Sequence, residues 1–230
     1  MRVDAEKLKA FGRAVAQKAG LGEQDAEVFV DSLVEADLRG IGSHGVSRLK
    51  VYAQRLESGV VDASASPRIL LDSPGALEVD GCNMMGAPLA LRVMEMCIQR
   101  ARENGSCFAA VRNANHFGAG AYFTEYAARR GMLAFAVANG EVGVIPTGGA
   151  KAMLGTNPLS VALPGGSLFP PVVLDMATSM VARGKVVLAQ KNGKKIPLGW
   201  AVDKNGAPTT EPGEVLDGGS MMPFGGAKGY

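Results

Sequence analysis

The chain is poor in the residues that build metal centres and disulfide frameworks. Its 230 residues include only two histidines, His44 and His116, and three cysteines, Cys82, Cys97 and Cys107. Neither type shows ligand spacing, so no metal site is expected. An odd set of cysteines without paired spacing fits a reducing compartment and structural thiols, which makes the cytoplasm the expected location. No apolar run approaches the roughly 18 residues needed to cross a bilayer, and the first residues lack the apolar core of a signal peptide, so no membrane association is expected. The 24 basic and 22 acidic residues are mixed along the chain and leave a net charge of +2. Without a basic block or basic-aromatic interleaving, nucleic acid is not an expected partner. The single tryptophan, Trp200, reads as a packing residue.

What is present is an ordinary globular composition, 47% hydrophobic and 20% charged, long enough for a substantial core. Residues 4–58 read as three helices. Leu8, Phe11, Val15 and Ala19 form the first apolar stripe. Ala26, Phe29, Val30, Leu33, Val34 and Leu38 form the second, and Val46, Leu49, Tyr52, Ala53 and Leu56 the third. Residues 62–74 look like a connection or a short strand region, with a boundary near residue 75. Beyond it, a helix over 88–103, a strand over 107–111, a helix over 118–130 and strands at 132–138, 159–163 and 172–174 alternate. That order predicts a layered α/β domain over 76–230 behind a helical region over 1–75.

Gly40-Ile41-Gly42-Ser43-His44-Gly45 matches G-x-G-x-x-G, but a dinucleotide fingerprint needs a strand before it and a helix after it. Here helical periodicity precedes it, so a doubly wound site is excluded. The segment reads instead as a loop between helices, its small residues giving a ligand room to approach His44. Arg48, four residues on, is placed to share a face with His44 and to bind a carboxylate through its guanidinium fork. An imidazole titrates near ~6.5 and is suited to passing protons at neutral pH. The alternative is that Ser43 caps the third helix and His44 is a turn residue. A serine hydrolase is disfavoured, because Ser43 and His44 are adjacent and no G-x-S-x-G elbow occurs.

Six ordered segments then carry a resemblance. They are the stretch from Ala36 to Leu49, Asn113-Ala114-Asn115-His116-Phe117-Gly118, Gly155-Thr156-Asn157-Pro158, Asp175-Met176-Ala177-Thr178-Ser179, Ile196-Pro197-Leu198-Gly199-Trp200-Ala201 and Gly225-Gly226-Ala227-Lys228-Gly229-Tyr230. Together they resemble the malate/L-lactate dehydrogenase family of non-Rossmann oxidoreductases. The resemblance implies a mixed, largely antiparallel sheet with helices, a helical N-terminal region supplying substrate-side residues, and a homodimer. It implies NAD or NADP as cofactor, and a small carboxylate substrate: a 2-hydroxy or 2-keto acid, or a cyclic imino acid.

By the same resemblance, His44 is the proton donor and acceptor, with Ser43 and Arg48 beside it, and His116 is its rival and a nicotinamide contact. Gly118, Asn157, Pro158, Asp175, Met176, Ala177, Thr178, Ser179, Lys228 and Gly229 are the expected cofactor-binding residues. From pattern alone, Asp175 or Thr178 also reads as the cap of a helix starting there, and Asn157-Pro158 as a strand-entry turn. Residue 42 is glycine where the family often carries a polar or acidic residue. Relatives continue for roughly a hundred residues beyond Tyr230. The NAD(P)-binding domain is therefore expected to be incomplete at its C-terminus, and the alternative function is an inactive fragment serving as a cofactor-binding or dimerisation module.

Overall fold

The computed structural model describes residues 2–229. Contacts divide the chain into two compact units, residues 1–134 with 162–172, and residues 135–161 with 173–230.

In the first unit, α1 (Ala5–Lys18) starts where the Asp4 side chain accepts a hydrogen bond of 2.9 Å from the Lys7 amide. It packs on α2 (Glu23–Leu38) at Gly12, where a Cβ would lie 2.7 Å from Val30. A 3-10 turn (Val46–Arg48) leads into α3 (Leu49–Glu57). Phe29, Val30, Leu33, Val34, Tyr52 and Leu56 form the shared core. The expected three helices are present, but Phe11 and Leu38 do not join that core and stand 61% and 63% exposed. Helical spacing marks a stripe; it does not say how far the neighbouring helix covers its rim.

The hairpin of β1 (Arg68–Ser73) and β2 (Ala76–Asp80) is antiparallel, and β3 (Phe108–Arg112) lies parallel to β2. Parallel neighbours need a crossover, supplied here by α4 (Gly86–Asn104), which ends at left-handed Gly105. α5 (Gly120–Ala128) completes this unit's helices. The contact-based division falls at 134/135, and the chain runs in contact through the boundary that the sequence suggests near 75. Met85, at the start of α4, belongs to the core of the N-terminal helices, and α4 packs on α2, so no gap in contacts occurs there.

The remaining strands form two sheets. β4 (Ala134–Val137), β7 (Leu159–Leu163) and β8 (Val172–Met176) make one, in the order β4-β7-β8. The other has the order β10-β9-β11-β5-β6, from β5 (Val142–Val144), β6 (Leu154–Gly155), β9 (Ala201–Val202), β10 (Pro208–Thr209) and β11 (Ser220–Met221). It is antiparallel except where β11 meets β5. α6 (Arg183–Lys191) and α7 (Pro212–Leu216) pack on it around Val144, Val186, Ile196, Val215 and Met221, with Trp200 against that cluster as expected. The short α8 (Gly226–Gly229) follows. Tyr230, which closes the last family-like segment, lies outside the described residues. The architecture is the expected mixed α/β one. No helix among the described residues is long and apolar enough to cross a membrane.

Candidate active site

The loop carrying His44 is built from the end of α2. Gly40, at φ +75°, donates to the Asp37 carbonyl at 2.9 Å, and Ile41 donates to that of Ala36 at 2.8 Å. This is the Schellman ending, in which a left-handed glycine closes the last carbonyls. The Asp37 carboxylate then reaches across the loop and accepts from the Val46 amide at 2.8 Å. A Cβ on Gly45 would lie 1.9 Å from an Asp37 carboxylate oxygen. Gly40, through its left-handed backbone, and Gly45, through its missing Cβ, therefore let the loop close on itself. Ser43 caps no helix: the 3-10 turn starts after Gly45, and the Ser43 hydroxyl lies 2.9 Å from His44 Nδ1. Arg48 Nε donates to the Ser43 carbonyl at 2.9 Å, and its side chain is exposed. Arg39, in the same motif, contacts the buried Glu125, which also binds Arg129.

The loop carrying His116 leaves β3 through two asparagines with structural tasks. Asn113, at φ +50°, donates to Asp80 at 3.0 Å. The Asp80 carboxylate also accepts from the Cys82 amide at 2.9 Å and faces Arg68 and Arg112, each at 3.3 Å. These bonds, the Cys82 amide foremost and then Asn113, hold Asp80 far below the usual carboxylate range. Asn115 donates to the Asn83 side chain at 2.9 Å and to the Asn83 and Met84 carbonyls at 3.0 Å. Gly86 admits the loop, since a Cβ there would lie 2.3 Å from the Asn115 and His116 carbonyls.

These two loops bring the histidines together. The His44 and His116 rings are stacked, with centroids 5.6 Å apart and planes at 21°. Tyr52, 6% exposed on α3, is hydrogen-bonded through its hydroxyl to His116 Nδ1. Burial pushes the Tyr52 phenol up to about 12, against the pull of Arg48 and Arg55. His116 keeps part of its surface open to solvent, yet desolvation of the ring by the groups packed around it pushes its pKa down to about 4, helped by His44, Arg48 and Arg55. At neutral pH the phenol is therefore protonated and the imidazole neutral. The hydroxyl donates to Nδ1, as the Gly118 amide also does at 3.3 Å, and the imidazole proton resides on Nε2. Tyr52 was legible in the sequence only as a member of an apolar stripe. The available signal was that a buried tyrosine hydroxyl needs a partner.

The other candidates lie in the second unit. Asn157 Oδ1 accepts from the Gly140 amide at 3.0 Å. Thr178 donates through its amide to the Thr156 carbonyl at 2.9 Å, and its hydroxyl bonds the Thr156 and Asn157 carbonyls at 3.2 and 3.0 Å. The buried Ser179 hydroxyl donates to the Val181 carbonyl at 2.8 Å. These groups are occupied in shaping the segment. Neither Asp175 nor Thr178 caps a helix, because α6 begins only at Arg183. Pro158, Asp175, Met176 and Ala177 are half-buried at or near strand ends, and Lys228 is exposed on α8 beside Gly229. Among the described residues, no group of three or more His, Cys, Asp or Glu side chains is arranged to hold a metal.

The malate/L-lactate dehydrogenase family profile matches residues 3–230. The chain belongs to this family. It is 39% identical over 226 residues to a malate dehydrogenase of Pyrococcus horikoshii, covering 98% of this chain and 62% of that protein. It is similar, at 34% identity and a TM-score of 0.93, to the crystal structure of a delta1-piperideine-2-carboxylate reductase from Pseudomonas syringae, covering 100% of this chain and 69% of that one. A malate dehydrogenase structure from Entamoeba histolytica gives a TM-score of 0.95 at 32% identity, with 100% and 67% covered. The chain thus spans about three fifths to two thirds of the length of these relatives.

Proposed function

We propose that this family member is an NAD(P)-dependent dehydrogenase or reductase of a small 2-hydroxy or 2-keto acid, or of a cyclic imino acid. The observation that carries the reading is the stacked His44–His116 pair, with Tyr52 bound to one ring and Ser43 to the other. Relatives named as malate and sulfolactate dehydrogenases and as pyrroline- and piperideine-carboxylate reductases support it.

Reduction of a carbonyl or imine needs hydride on carbon and a proton on oxygen or nitrogen. The nicotinamide, when bound, supplies the hydride. His44 gives the proton in reduction and takes it from the hydroxyl in oxidation, a service worth roughly 10²–10⁴ in rate. His116, held neutral, is a poor acid at neutral pH and serves as a fixed Nε2–H hydrogen-bond donor. Arg48 has one guanidinium N–H bound to Ser43 and keeps the others for the substrate carboxylate. Gly118, at φ +90° next to His116, leaves backbone open on the cofactor side. In the second unit, the exposed Lys228 with Gly229 suits the phosphates of such a cofactor, and the half-buried Asp175, with Met176, Ala177 and Pro158, suits its ribose hydroxyls. Asn157, Thr178 and Ser179 shape that segment and act through its backbone. A cytoplasmic homodimer is part of this reading, supported by exposed apolar residues such as Leu71 and Phe108 on the β1–β3 sheet.

The test is turnover of the 230-residue chain with NADH and NADPH against oxaloacetate, sulfopyruvate and piperideine-2-carboxylate. Turnover on at least one supports the reading. Cofactor binding without turnover on any of them overturns it.

A further inference from the structure

Asp80 is a buried carboxylate that the reaction described above does not use. It ends β2, 2% exposed, and the register sets it level with Arg68 on β1 and Arg112 on β3. Its two oxygens have separate partners. Oδ2 lies 3.3 Å from Arg68 and 3.3 Å from Arg112, both exposed side chains. Oδ1 accepts from the Cys82 amide at 2.9 Å and from the Asn113 side chain at 3.0 Å. One oxygen therefore joins two loops: the one that leads from β2 to α4, and the one that leaves β3 and carries His116.

Both loops run through backbone that side chains avoid. Cys82, Asn83 and Asn113 stand at φ +47°, +62° and +50°. Such angles persist where surrounding bonds over-determine them. Here the Asn83 amide donates to the Asn113 carbonyl at 3.0 Å and the Gly81 amide to the Arg112 carbonyl at 2.8 Å. These bonds run between main chains, and Asp80 is the charged group that both loops share.

We propose that Asp80 is a positioning residue for His116, acting through the two hydrogen bonds that its Oδ1 accepts. They hold the left-handed turn out of β3, and with it the ring that stacks on His44 and meets the Tyr52 hydroxyl. A carboxylate suits this role because hydrogen bonds to an ionised acceptor are the stronger ones, and Arg68 and Arg112 compensate its buried charge. The inference rests on the function proposed above only for its kinetic consequence, a weaker hold on the nucleotide when His116 is displaced.

The experiment follows the His116 ring in the full chain by carbon–proton NMR from about pH 5 to about pH 8, the range in which an unperturbed imidazole titrates. The chain has two histidines, so the His116 signal is the one missing from His116→Gln. In the wild type it stays neutral over this range, its pKa being about 4. Asn113→Gly removes one of the Oδ1 bonds while glycine takes the left-handed angle freely, and Asp80→Ala removes both. In each, the ring is expected to leave its packing and the nearby His44, Arg48 and Arg55, and to titrate closer to ~6.5. Asp80→Asn, which retains Oδ1 as an acceptor, is expected to restore the wild-type curve. Nucleotide affinity, read by fluorescence titration, is expected to fall about three- to tenfold in Asn113→Gly, the scale of one lost hydrogen bond.

A merely structural Asp80 would lower the unfolding midpoint of these variants and leave the ring neutral. That result overturns the proposal, as does an Asp80→Asn curve that matches Asp80→Ala. A ring that titrates as expected while nucleotide affinity holds supports the positioning role and overturns the cofactor role given to His116. Asn113→Gly decides the matter even where Asp80→Ala fails to fold.

Discussion

The Tyr52 hydroxyl donates to His116 Nδ1, so a buried side chain of α3 sets the tautomer of an imidazole carried on the connection between β3 and α5. The bond joins residues 64 positions apart and fixes the remaining ring proton on Nε2. Tyr52→Phe keeps the buried ring and removes this bond. The expected result is a folded protein whose kcat falls about five- to tenfold, the worth of one net hydrogen bond of about 1 kcal/mol. Steady-state kinetics on the active keto or imino acid checks this, and an unchanged kcat would deny Tyr52 a positioning role.

The two histidines are expected to separate by what their loss removes. His44→Ala is expected to lower kcat by roughly 10²–10⁴ with cofactor affinity nearly unchanged. His116→Ala is expected to weaken cofactor binding as well. Nucleotide fluorescence titration beside kinetics tests the pair, and the reverse pattern would exchange their roles.

Arg48 is exposed and spends one N–H on the Ser43 carbonyl. Arg48→Met is expected to raise KM for the carboxylate substrate by roughly 10–100-fold, the range for charge-assisted hydrogen bonds of about 1.5–3 kcal/mol. Nucleotide KM should hardly move. An equal rise in both would point to collapse of the loop.

Gly45 has no room for a Cβ against Asp37. Gly45→Ala is expected to cost about 1–3 kcal/mol of stability, the usual range for overpacking. Gly42→Ala should be far milder, since its Cβ would lie 3.7 Å from the nearest Asp37 oxygen. Urea unfolding of both variants gives the comparison.

The depressed pKa of His116 fixes the sign of a pH effect. As pH falls below about 6.5, the unfolded imidazole takes up a proton while the folded one resists until about 4. Its contribution to stability is therefore complete above about 6.5, declines between 6.5 and 4, and levels off below. His116→Gln should flatten the wild-type slope in that window, measured by unfolding midpoints at successive pH values. Identical slopes would show that the ring is not held neutral.

Much of this was readable before the fold was known. The stripes through Phe29, Val30 and Leu33 and through Leu49, Tyr52 and Leu56 placed α2 and α3, because period alone marks a buried helix face. The helical context of Gly40–Gly45 also excluded a doubly wound site. What the chain order did not reveal were partners distant in sequence. Asp37 occupying the space beside Gly45, Asn113 and Asn115 bound to Asp80 and Asn83, and Thr178 turned to the Thr156 carbonyl all depend on where separate segments meet.

The sequence by itself determined the family, the two imidazoles and the segments that present them, because motif spacing and helical period are local properties. Only the tertiary structure decided which polar residues are free for chemistry and which hold the loops. It also decided that His116 is neutral, since the desolvation of its ring and the nearness of His44, Arg48 and Arg55 arise from contacts between elements far apart in the chain. A hydrogen bond or a shifted pKa belongs to a neighbourhood in space, and neighbours on α3 and beyond β3 meet only when the chain has folded.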